Sequence, residues 1–128
     1  MNRRTFLTTL LLAAAAPATS GAEVTATGDP AMYGLIAEMK AAPDQRDALI
    51  DILLGGTRDM PGCLSYVIAR DPKDSDTLWI TEVWDSPESH RASLALPAVQ
   101  DAISKGRALI AGVGQRIETA PVGGHGLG

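Results

Sequence analysis

Residues Thr77 to Leu96, TLWITEVWDSPESHRASLAL, constrain the fold more than any other stretch, because a strand there runs directly into a helix. Leu78, Ile80, Glu82 and Trp84 alternate with Trp79, Thr81 and Val83, which puts the two sets on opposite faces of a sheet. Asp85-Ser86-Pro87 stops the strand. Ser86 suits an N-cap, Pro87 the first helical position, and Glu88 the positive end of the helix dipole. The Glu82 carboxylate, the indoles of Trp79 and Trp84 and the His90 imidazole all fall near this join, which is how small α+β domains build a pocket.

Around the join the rest of the chain falls into a regular order. Met32 to Lys40 alternates as a first strand, with Tyr33, Leu35, Ala37 and Met39 on one face. Pro43-Asp44 opens a helix whose stripe is Leu49, Ile52, Leu53, Gly56 and Met60. Gly55-Gly56 either ends that helix early or lets it pack closely on the sheet. Met60-Pro61-Gly62 is a turn, Leu64 to Arg70 a second strand, Asp71 to Asp76 a polar hairpin loop, and Thr77 to Trp84 the third strand. Ser86 to Leu96 is helical, and Pro97 opens a second helical stretch with Val99, Ile103, Gly106 and Ile110 on its stripe. Gly112-Val113-Gly114 breaks it, and Gln115 to Thr119 is the last strand. The order β-α-β-β-α-β is the ferredoxin-like, split-βαβ pattern of the α+β class. It implies a four-stranded antiparallel sheet with its helices on one face. The other face, with Val67, Ala69, Trp79 and Val83, is too apolar to leave wet, so a homodimer packed sheet against sheet is expected.

The ends read differently. Residues 1–22, MNRRTFLTTLLLAAAAPATSGA, have a positive start, an apolar run from Phe6 to Ala16 that is too short to span a bilayer, and small residues before a cleavage point after Ala22. Arg3-Arg4-Thr5-Phe6-Leu7 resembles a twin-arginine export signal, although Asn2 and Thr8 depart from the usual pattern. An exported, periplasmic protein with no stable membrane anchor after cleavage is expected. Residues 23–31 read as a linker, 32–120 as the domain, and 121–128 (PVGGHGLG) as a flexible glycine-rich tail. The formal charge of −4 becomes −6 once Arg3 and Arg4 leave with an acid-free signal, and no basic cluster compensates, so a nucleic-acid partner is not expected. The single cysteine, Cys63, excludes an intrachain disulfide and a cysteine-rich metal site, and reads as a small apolar core residue.

From about Ala31 to Ala120 the chain resembles the antibiotic biosynthesis monooxygenase superfamily of dimeric α/β-barrel proteins. Three marks carry the resemblance: Met60-Pro61-Gly62-Cys63 before the second strand, Glu82-Val83-Trp84-Asp85-Ser86 followed by Glu88, Ser89 and His90, and the run from Ser93-Leu94 to Pro97. Within that superfamily the chain looks most like the quinol monooxygenase branch. It implies an enzyme with no cofactor and no metal that oxidises a small aromatic diol or quinol with O2. A deprotonated hydroquinone passes an electron to O2 directly, so the protein need supply only a dry pocket, a proton acceptor and donors for the resulting anion. The haem-degrading members of the superfamily use an Asn, a Trp and a His where this chain has Met39, Ser93 and Ile103, so haem cleavage is not implied.

On this reading His90 and Glu82 are the candidate proton acceptors, Tyr66 and Arg70 hold the substrate anion, and Trp84 forms a wall. A neutral His90 imidazole at a helix start can accept a phenolic proton, and Glu82 on an apolar face beneath helices should bind its own proton tightly. The bland alternatives are a surface histidine, an acid paired with Arg70 or Arg91, a packed tyrosine and a solvated arginine. His125 in the tail reads as a spectator. The competing functional reading is a non-catalytic module that binds a hydrophobic or quinone-like molecule in the same pocket.

Overall fold

The computed structural model describes residues 31–127. The signal segment and all but the last residue of the linker expected from sequence lie outside them. The described chain runs β1 (Tyr33–Ala41), α1 (Arg46–Gly56), β2 (Cys63–Arg70), β3 (Thr77–Trp84), α2 (Pro87–Ser93), α3 (Pro97–Gly106), a 3₁₀ turn (Arg107–Leu109) and β4 (Ile110–Thr119). The strands form one sheet in the order β2-β3-β1-β4, every neighbouring pair antiparallel. This is the expected ferredoxin-like α+β fold, with an open sheet whose edges are β2 and β4.

The join read from sequence forms as its residues dictate. Ser86 is extended and its Oγ accepts the Ser89 N–H at 3.1 Å, while Pro87 occupies the first turn of α2. The second crossover is two helices, because α2 tightens into bonds from the N–H groups of Leu94, Ala95 and Leu96 to residues three back. Leu96 is then extended ahead of Pro97, as the residue before a proline prefers. Gly62 closes the other side of the join at φ +84, where a side chain would strike Ser89 and Asp85. Its carbonyl accepts the Asp85 N–H at 2.9 Å.

Three sequence expectations shift. α1 starts at Arg46 rather than beside Pro43, since Asp44 adopts φ +65 and Gln45 N–H turns back to the Ala42 carbonyl. Gly56 serves close packing on α3 rather than on the sheet, for an added Cβ would lie 2.5 Å from that of Ala102. β4 begins at Ile110, so Gly112-Val113-Gly114 lies inside a strand. The β1–β4 register shifts there, and the Glu38 carboxylate takes the Gln115 N–H at 3.1 Å from the space a Gly114 side chain would fill.

Side chains on the helix-covered face form two apolar clusters. Ala41, Leu49, Ile50, Leu78 and Ile80 make one, and Met60, Trp84 and Val99 the other. Glu82 falls between them on β3. On the uncovered face lie Ile36, Val67, Ala69, Trp79, Thr81, Val83 and Ile117, joined by the register of the four strands.

Candidate functional site

Glu82 is 8 % exposed, the one carboxylate among the buried residues described. Its Oε1 accepts the Trp84 indole N–H at 2.9 Å and stands 3.8 Å from His90 Nε2. The second distance is too long for a hydrogen bond but close enough for charge to be felt. Burial pushes the Glu82 carboxyl above the usual glutamate range, against the opposing pull of the indole bond and of His90 and Arg116. Glu82 therefore holds a proton more tightly than a surface carboxylate does.

His90 is fixed by aromatic contacts. Its ring lies tilted on Tyr33, with centroids 5.1 Å apart, and edge-on to Trp84 at 5.6 Å. Tyr33 sits opposite Trp84 in the β1–β3 register, and its hydroxyl donates to Glu118 at 2.6 Å. The Ser93 hydroxyl donates to the His90 carbonyl at 2.6 Å, which ties down the last turn of α2. Trp84 itself is completely buried.

On the other side of Glu82, directly across the β2–β3 register, is Tyr66. Burial, with the Glu82 charge next, pushes its phenol well above the ordinary tyrosine value, so the hydroxyl stays a donor. A register shift after Cys63 puts Cys63 opposite Trp84 and Tyr66 opposite Glu82, so both pack against the cluster around Trp84. Leu64, which unbroken strand alternation would put on the Tyr66 face, is 44 % exposed. Burial also raises the Cys63 thiol.

The two apolar clusters lie between the sheet and the helices. A cavity of about 270 Å³ opens at the β2 edge, lined by Thr57, Arg58, Met60, Cys63, Leu64, Ser65 and Tyr66; of the group around Glu82 it reaches Tyr66, and not Glu82, Trp84 or His90 themselves. Of the five residues chosen from sequence, Glu82, Trp84, His90 and Tyr66 come together. Arg70 does not: it lies toward the other end of β2, opposite Leu78, and its Nε donates to Asp47 at 2.9 Å. Neither Arg70 nor Arg91 pairs with Glu82, since Arg91 faces Glu88. Tyr33, Met60, Cys63 and Arg58 complete the surroundings, and sequence did not point to them as site residues. Tyr33 could have been found from its place on the Leu35 face, had the register against Trp84 been known. Among the described residues no three His, Cys, Asp or Glu side chains stand together as a metal site.

A split β-α-β-β-α-β sheet with a buried carboxyl and a partly buried imidazole at its second crossover defines a ferredoxin-like α+β domain. The sequence pattern of the family described as antibiotic biosynthesis monooxygenase matches residues 32–105, and the chain belongs to that family. A crystal structure from Chloroflexus aurantiacus J-10-fl, named for the same family, is 69% identical, covers 76% of this chain and 99% of its own, and has a TM-score of 0.74. One from Caulobacter crescentus CB15, also named for the family, is 18% identical over 73% of this chain and 92% of its own, at a TM-score of 0.67. One from Pseudomonas aeruginosa is 23% identical over 73% and 96%, at 0.64. At those identities the last two show the fold alone. A search of the curated proteins finds no match.

Proposed function

We propose that this protein is a cofactor-independent monooxygenase that oxidises a small aromatic diol or quinol with O2. The observation that carries the reading is Glu82: a buried carboxyl of raised proton affinity, oriented by an indole N–H, flanked by His90 and next to a phenol at a cavity wall. A base of that kind suits a phenolic proton better than a surface carboxylate would. Tyr66, kept protonated, donates to the substrate oxygen as negative charge builds there. Trp84 orients the carboxylate and keeps water from it, and His90 steadies the charge that Glu82 gives up and regains. The phenolate then passes electrons to O2. One oxygen atom enters the ring and the other leaves as water, with the four electrons coming from the substrate.

The family membership supports the reaction class, and the residues above support the proton chemistry. The test is oxygen uptake by metal-free protein with a panel of hydroquinones, repeated with Glu82→Gln and His90→Ala combined. Uptake abolished by the double substitution supports the reading. No uptake by the unaltered protein, together with ligand recovered unchanged after incubation in air, would replace it with the binding-module reading. The same proposal takes the protein to be an exported homodimer.

A further inference from the structure

We propose that Arg58 makes the cavity beside Tyr66 a site for a one- or two-ring aromatic that carries a carboxylate. The inference rests on that cavity being where the substrate of the proposed reaction binds. It narrows the substrate from any small diol to an anionic one.

Arg58 is exposed at the loop between α1 and β2, and it lines the 270 Å³ cavity together with Tyr66. No ion pair among the described residues uses it. Cations lining neighbouring cavities are already engaged. Lys105 pairs with Asp101 and Lys40 with Asp74, while Arg46 Nη1 donates to the carbonyls of Asp71, Asp74 and Thr77. No carboxylate lines this cavity; Asp59 shares the adjoining hollow with Arg58, Met60 and Pro61 but forms no ion pair with Arg58. An unengaged guanidinium at a cavity mouth is a local exception on a chain of net charge −4, and its planar fork matches a carboxylate.

The remaining lining fits the rest of such a ligand. Met60, Cys63 and Leu64 offer apolar and sulfur contacts to a ring, Thr57 and Ser65 add polar ones, and Tyr66, opposite Glu82 in the β2–β3 register, is part of the wall. Size sets the ring count. A cavity of about 150 Å³ accepts one benzene ring, and drug-sized ligands need upward of about 300 Å³. At about 270 Å³ this cavity takes one substituted ring or two fused rings, and a linear three-ring compound would have to project from it.

The probe pair is 2,5-dihydroxybenzoate and its methyl ester, which share a ring and differ by the charge. Titration calorimetry under nitrogen reads binding without turnover. The acid should bind about tenfold tighter than the ester, equivalent to about 1.4 kcal/mol. In Arg58→Gln the preference should vanish with ester affinity unchanged, in Arg58→Lys part of it should survive, and added salt should weaken it in the unaltered protein. Equal binding of acid and ester, a preference indifferent to Arg58→Gln, or no binding of either compound overturns the inference. Oxygen uptake is measured separately. Selective binding without uptake leaves Arg58 standing and removes the oxygenase, whereas equal uptake with acid and ester removes Arg58's role and leaves the oxygenase.

Discussion

Glu82 shows how one side chain can be unfavourable for the fold and useful to a site. Its folded carboxyl titrates above the usual glutamate value of 4.5 because burial penalises the charged form. The stability it contributes is therefore fully present below the unfolded value and is lost as pH rises through the folded one. Glu82→Gln mimics the protonated form and still offers an amide oxygen to the Trp84 indole. The variant should melt above the unaltered protein at pH 8, and the gap should close by pH 4, while any oxygen uptake disappears. Thermal melts across that range decide it, and an equal or lower melting temperature at pH 8 would show that the buried charge carries no penalty. Much of this residue's setting was legible in the sequence. Glu82, Trp84 and His90 lie within nine positions, and strand alternation plus a capped helix start bring them together without long-range information. Arg70 was not legible. It shares a strand with Tyr66, but four residues of strand span about 13 Å, and an α1 carboxylate was within its reach.

The elements around the site depend on two turns, each with its own weakness. Gly62 holds a left-handed conformation and leaves room for Ser89 and Asp85, so Gly62→Ala combines backbone strain with a clash. It should cost roughly 1–3 kcal/mol in denaturant unfolding and loosen the start of α2. Gly55→Ala meets nothing within 4 Å and should be neutral or mildly stabilising in the same assay. The β2–β3 hairpin relies on carboxylates instead. Asp71 is held below the usual aspartate value of 3.8, first by the Trp79 indole and then by the N–H groups of Lys73 and Asp74. Asp74 is held at about 2, first by its bond from Lys40. With both folded values depressed, their stabilisation is present above about pH 4 and is lost as pH falls toward 2. Trp79 fluorescence should report the hairpin loosening in that window, ahead of global unfolding, and Asp71→Asn should remove the pH dependence of the signal. The hairpin and the capped helix were both legible because their signals are local. The glycines of β4 were misread for the opposite reason. Gly112-Val113-Gly114 has a breaker's composition, and it is the long-range pairing of Gly112 and Val113 with Lys40 and Met39 of β1 that makes it strand.

Among the described residues, the helices cover one side of the sheet and leave the other bare. The two apolar clusters lie on the covered side, whereas Val67 is 52 % and Ile117 44 % exposed on the bare one. Trp79 and Val83 are only partly buried between them, although the Trp79 indole already has Asp71 as a partner. Contiguous apolar surface of this kind on a small domain favours a second copy, because each chain gains the burial that its own size cannot supply. This expectation needed only the strand alternation. The site needed register as well, since Tyr33 and Tyr66 reach Trp84 and Glu82 through pairings that no local pattern specifies. The face expected to pair with a second copy and the candidate site are on opposite sides of the sheet, so the two can be separated by experiment. Val67→Arg places a charge on the bare face, opposite Thr81, without touching the cluster around Trp84. Sedimentation should show a dimer for the unaltered protein and a monomer for the variant, each with the same circular dichroism. Should the variant sediment with the unaltered protein as a dimer, the two copies meet elsewhere; should both be monomers at micromolar concentration, the bare face awaits a different partner.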